Sequence, residues 1–200
     1  MIFLKKLKEQ IKENRAANKR FKEQARKDKK HFALIEADKI HEIPIEDVLI
    51  GFVGWCHEHR LFAFEDLSSK PLSQQYVKSI FDTLPQIYEK CFEGFYYDGG
   101  CDEFCPDAER TLRVTIEGLD IIGYTAISEV LKKADKIYEA NKEFIEKSGW
   151  EVLSEKNLWT GLIEEFIELY PITEELDKVM GQYILENQQY FKGEYLKNQT

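Results

Sequence analysis

The stretch ISEVLKKADKIYEANKEFI, residues 127–145, decides the fold class. Ile127, Val130, Leu131, Ala134, Ile137, Tyr138, Phe144 and Ile145 recur at three- and four-residue spacing, with Lys and Glu filling the gaps. An α-helix returns to the same face every 3.6 residues, so the pattern predicts an amphipathic helix with one buried side. The same period continues outward in both directions. Before it, Ala108, Leu112, Ile116, Leu119 and Ile122 form a stripe. Pro106 suits that helix's first turn, Asp107 and Glu109 complement its N-terminal dipole, and Gly123 suits its cap. Further upstream, Val77, Ile80, Phe81, Leu84, Ile87, Tyr88, Cys91, Phe92, Phe95 and Tyr96 keep the period across Pro85. That run reads as two abutting helices or one kinked helix, with Cys91 facing the core. Ile45, Val48, Leu49, Phe52, Val53 and Cys56 follow Pro44 in the same manner, which also places Cys56 on an apolar face. Downstream, Leu158–Tyr170 carries Leu162, Ile163, Phe166 and Ile167 and ends at Pro171; Thr173 opens a last helix with Leu176, Val179, Met180, Tyr183 and Ile184 inward. Arg60–Leu72, the Asp98-Gly99-Gly100 turn and Lys147–Lys156 read as connections. Paired glycines inside a helix would cost about 1 kcal/mol each. No run alternates with period two for long enough to demand a strand. The expectation is all-α, a multi-helix globular domain with a long basic N-terminal helix.

Charge divides the chain more sharply than its total of −9 suggests. Residues 1–30 hold twelve Lys/Arg against four Asp/Glu, a net of +8; residues 31–200 hold sixteen against thirty-three, a net of −17. Ile2 to Ala37 contains no Pro or Gly and is rich in good helix formers. The expected organisation is a basic helical arm over 1–37 and an acidic all-α domain over 38–200. The arm's apolar positions are sparse (Leu4, Leu7, Ile11, Phe21, Ala25, Phe32 and Ile35). A solvated helix, self-association as in a homodimer, and contact with an anionic membrane all remain open for it. With 200 residues and 43% hydrophobic content the chain can bury a real core, which excludes a disordered, collagen-like or disulfide-scaffold protein. No apolar run approaches 18 residues and Met1-Ile2-Phe3-Leu4 is too short for a signal core, so a cytoplasmic protein is expected, with its four cysteines as thiols.

Residues with chemical potential are few. Cys101-x3-Cys105 with Cys56-His57-Glu58-His59 is the one arrangement that spacing permits as a zinc site or an enzymatic centre. Against it, Cys101, Phe104 and Cys105 follow an apolar helical pattern, and His57 and His59 point different ways on a helix. No nucleophile elbow or phosphate-cradling glycine loop is present. No catalytic residue, metal or cofactor is therefore expected. The acidic residues carry the remaining signal: Asp98, Asp102, Glu103 and Asp107 about the turn, then Glu164, Glu165, Glu168, Glu174, Glu175 and Asp177 toward the C-terminus. Carboxylates three or four residues apart on a helix lie about 5–6 Å from one another. The phosphates of a DNA strand repeat at a comparable ~3.4 Å of axis. An acidic helical face can therefore occupy a basic groove built for DNA, while repelling nucleic acid itself. The bland alternative is a solvated acidic surface that keeps the protein in solution.

Asp98-Gly99-Gly100-Cys101-Asp102-Glu103-Phe104-Cys105-Pro106-Asp107 resembles the signature of the DNA mimic protein 19-like family, whose pattern there reads roughly Asn-Gly-Gly-Phe-x-Gln-Phe-Phe-x-Asn. The resemblance continues through Leu119, Gly123 and Ala134 and again at Glu175-Leu176-Asp177 and Tyr183, covering about residues 75–192. Cys101 and Cys105 stand where the family has Phe, and Asp98, Glu103 and Asp107 where it has amides, which makes this turn more acidic. The resemblance implies an all-α, often self-associating protein. In the family's named member it implies binding to a DNA-binding protein in place of DNA. It assigns Gly99 and Gly100 a structural turn and Asp98 a local hydrogen-bonding role. The expected partner is a basic protein, a DNA-binding regulator in the family's manner.

Overall fold

A computed structural model describes residues 19–20, 22–59, 70–97, 106–170 and 173–192. These contain a helix over 22–36 (α1), then α2 (Ile45–Glu58), α3 (Leu72–Tyr96), α4 (Pro106–Ile121), α5 (Thr125–Lys147), α6 (Trp150–Lys156), α7 (Leu162–Leu169) and α8 (Thr173–Glu186). Single 3-10 turns lie at Ile40–Glu42 and Gln188–Tyr190. The described residues include no strand, as the all-α reading expects. Among them, no helix is long and apolar enough to cross a membrane.

The hub is α3, which packs on α4 most extensively and also on α6, α7 and α8. Its burial goes beyond the apolar stripe: Gln74, Ser79 and Thr83 are also inside. Buried polar groups need partners. The Gln74 amide donates to the Tyr190 carbonyl, and the Thr115 hydroxyl pairs with Thr83 at 3.0 Å. The helix passes Pro85 without losing its course and breaks instead at Cys91, where φ is 58° and ψ −179°. That conformation costs a residue with a side chain of order 1–3 kcal/mol. It also resets the phase of the stripe. Val77, Ile80, Leu84 and Ile87 face the core before the break, and Phe92, Phe95 and Tyr96 after it. Cys91 itself is exposed, correcting the expectation that it faces the core. Cys56 is fully buried, as its place on the α2 stripe requires.

Around α3 the sequence rules operate as expected. Ala108, Leu112, Ile116 and Leu119 of α4 are buried, and α4 ends in a Schellman cap. There Tyr124 N–H bonds to the Leu119 carbonyl at 2.8 Å and Gly123 takes φ 77°. Residues 147–156 are not a mere connection: α6 forms there and buries Leu153, while Trp150 meets Tyr97 edge-on. An aromatic stack locks the centre. Tyr96 lies on Tyr138 at 4.5 Å and on Trp159 at 5.4 Å, and the Trp159 indole donates to the Ala134 carbonyl at 3.1 Å. Truncating one such aromatic ring costs about 3–5 kcal/mol.

The described part of the basic segment is packed rather than free. His31 and Ile35 of α1 are buried. Against Gly51 a side chain would meet His31 Cβ at 3.3 Å, and against Gly54 it would meet the Phe32 ring at 3.5 Å, so the two glycines of α2 let α1 approach closely. Lys27 pairs with Asp47 at 2.6 Å and Glu36 with His59 at 3.3 Å, so α1 and α2 run parallel. Asp38, in the left-handed region at φ 57°, caps α1, and the intervening residues return the chain to the start of α2. In turn α8 lies parallel to α2. Ile45 adjoins Gly181, and Phe52 meets Phe191 edge-on at 5.0 Å.

Candidate functional site

Helix α7 is short and strongly two-sided. Leu162 and Phe166 are buried, while Glu164 and Glu168, four residues apart, are exposed. Phe166 packs edge-on against Phe92 of α3 at 6.0 Å, and Tyr170, just beyond α7, stacks on Tyr88 at 4.6 Å. These contacts set α7 beside the second half of α3, with the carboxylates outward. The start of α8 joins them: burial chiefly holds the Tyr170 phenol above its ordinary range, and the charges of Asp177 and Glu89 add to it. Glu93 lies almost wholly buried below this surface. Desolvation raises its carboxyl, although the Glu93 and Trp159 backbone N–H groups oppose the rise by hydrogen-bonding to it. Burial, then Glu93 and Glu164, likewise raise the Cys91 thiol, so this cysteine is a poor nucleophile.

Three helices thus converge on one acidic face bearing Glu89, Glu164, Glu168 and Asp177, with Glu93 buried beneath it; Glu175, exposed in the first turn of α8, acts on the Tyr124 phenol at the α4–α5 turn. Glu164, Glu168 and Glu175 are exposed and form no salt bridge with any described residue. Two large apolar side chains of α3 and α7 are open to solvent, Tyr88 at 47% and Ile167 at 41% exposure, and Tyr88 stacks on Tyr170. Aromatic and aliphatic anchors ringed by charge are the usual make-up of a binding patch.

The other predicted acidic residues fare differently. Glu165 turns toward α5 and binds Lys133 at 2.6 Å. Asp107 is exposed in the first turn of α4. Asp98, Gly99, Gly100, Asp102 and Glu103 lie outside the described residues, as do Cys101 and Cys105, and the Glu174 side chain is likewise not described. The Cys/His arrangement does not come together on α2. Cys56 points into the core, where burial drives its thiol well above the ordinary range, His57 is exposed, and His59 pairs with Glu36 and packs on Trp55. Among the described residues no group of three or more His, Cys, Asp or Glu is placed to hold a metal. The α3 stripe reads Tyr88 as core-facing and Glu89 and Glu93 as its polar flank; with the break at Cys91 and α7 docked alongside, Tyr88 instead lies open to solvent against Tyr170.

A second charged region, the seam between α4 and α5, contrasts with the face. Arg113 reaches Glu109 at 3.0 Å, Asp135 at 3.7 Å and also Glu139, and Lys142 holds Glu109 at 2.6 Å. One turn away Lys132 joins Asp120 and Glu129. No protein family, curated protein or solved structure compared with the chain matches it.

Proposed function

We propose that this chain is a non-enzymatic interaction protein that binds a basic protein through the α3–α7–α8 face, a DNA-binding regulator being the partner its chemistry suits best. The observation that carries the reading is the set of exposed carboxylates Glu164, Glu168 and Glu175, which form no salt bridge with a described residue, together with the solvent-open Tyr88 and Ile167. Glu164 and Glu168 repeat at the distance of about 6 Å that one helical turn imposes, within reach of lysines and arginines spaced for phosphates. The −17 charge of residues 31–200 attracts such a partner over long range and speeds encounter at low salt. The resemblance of residues 98–107 to the DNA mimic protein 19-like family supports the same direction.

The test is affinity capture from lysate of the source cell at low and high salt, with the full chain and its Glu164→Gln/Glu168→Gln/Glu175→Gln variant in parallel. The expected result is one basic DNA-binding protein, released by salt, displaced by its own DNA and lost on the variant. Equal recovery on both baits, or recovery of abundant ribosomal proteins alone, would remove the reading.

A further inference from the structure

Beside the acidic face the surface opens into a groove of about 230 Å³ between α2, α3 and α8, lined by Leu49, Ile80, Leu84, Pro85, Leu176 and Met180. Tyr170 and Asp177 also line it, so the apolar groove is continuous with the carboxylates. A groove of this composition suits a basic amphipathic segment laid along it, apolar side chains inward.

The chain carries such a segment. Residues 1–18, outside the described residues, hold Lys5, Lys6, Lys8, Lys12 and Arg15 against Glu9 and Glu13, a net of +3. Leu4, Leu7 and Ile11 recur at spacings of three and four, the pattern of one helical face. The point of departure is also right. Helix α1 runs parallel to α2, with Lys27 at Asp47 in the first turn of α2, so the residues before Lys27 extend past that end of α2. Helix α8 is parallel to α2 as well, with Gly181 against Ile45, so Asp177 and Glu175 extend past the same end. Eighteen residues span about 27 Å as a helix and about 60 Å extended, enough to reach a groove at that end.

We infer that residues 1–18 dock on their own chain, Leu4, Leu7 and Ile11 entering the groove between Leu84 and Met180 and their lysines meeting Glu175, Asp177 and the acidic face. The segment then competes with the basic partner for that face, which makes the protein its own regulator. This inference rests on the proposed function for its consequence, but the docking itself is measured without any partner.

The experiment uses the full chain at low micromolar concentration and a zero-length carbodiimide, which joins a lysine amine to a carboxylate only in contact. An equal mixture of ¹⁵N-labelled and unlabelled chains separates links within a chain from links between copies. The expected result is intrachain links from Lys5, Lys6, Lys8 or Lys12 to Glu175, Asp177 or Glu89, at least tenfold weaker in the Leu7→Asp/Ile11→Asp variant. That variant alters no described residue and keeps the lysines. Links equally strong in the variant would reduce the contact to loose charge attraction and overturn groove docking. Mixed-isotope links would assign the segment to a second copy. Absence of these links, with the chain instead sedimenting with phosphatidylglycerol vesicles in a manner lost in the variant, would assign it to a membrane. Each of those results contradicts the inference while leaving capture of a basic protein free to succeed or fail by itself.

Discussion

The α4–α5 seam and the α3–α7–α8 face are built from the same residue types and behave as opposites. In the seam the charges are largely matched: Arg113 collects three carboxylates, Lys142 holds Glu109, and Lys132 holds Asp120 and Glu129. On α7 and the start of α8, Glu164, Glu168 and Glu175 have no such partner among the described residues, although Lys133 stands close enough to take Glu165. One residue of register on α7 separates a structural carboxylate from an available one. Net charge therefore says little about where a partner is received. What matters is which carboxylates the fold leaves unneutralised, and whether apolar side chains such as Tyr88 and Ile167 lie among them.

The strongest way to break the contrast is to dislodge α8, which carries one edge of the face but none of the seam. A side chain at Gly181 would stand 2.7 Å from the Ile45 carbonyl oxygen, a backbone atom that cannot swing aside. Gly181→Val is expected to cost about 3 kcal/mol, at the upper end of overpacking penalties. In a chain of this size that lowers Tm by roughly 6–12 °C, read by calorimetry, with partner binding lost in parallel. The seam should respond more weakly. Arg113→Gln leaves Asp135 half-buried without its main cation, and an expected loss of about 1 kcal/mol follows from the partial exposure of the pairs. Denaturant unfolding would measure that loss, while partner affinity stays unchanged.

Acid sharpens the contrast further. The hydrogen bond from Lys142, assisted by Arg113, outweighs desolvation and holds Glu109 below its ordinary 4.5. The unfolded carboxyl then takes up a proton more readily than the folded one. Its contribution is complete above pH 4.5 and disappears as the pH falls through the folded value. Stability measured from pH 6 to pH 3 should fall less steeply in Glu109→Gln than in the native chain, by a margin below 1 kcal/mol.

The helices were legible because their stripes are long: Ala108 to Leu119 and Ile127 to Ile145 land inside as spacing requires, apart from Phe144, which stays half-open beneath the Lys156 ammonium. Cys91 was misread because nothing in the local sequence marks a backbone break six residues after Pro85; the period continues through it on paper, and only the packing of Phe92 against α7 goes with the slip. The seven residues of α6 were read as connection because so short a helix is stable only through what Leu153 and Trp150 bury. Of the face, Glu164, Glu168 and Glu175 were visible as acidic residues. Their separation from Glu165 depends on where Lys133 sits across α5, a tertiary fact that spacing along α7 does not contain.

The most direct measurement is the affinity of the captured basic protein for the native chain and for Glu164→Gln/Glu168→Gln/Glu175→Gln, each at two salt concentrations. The account predicts at least a tenfold loss at low salt, a shallower salt dependence and an unchanged Tm. Equal affinity and equal salt dependence would contradict it and leave those carboxylates as ordinary solvated surface.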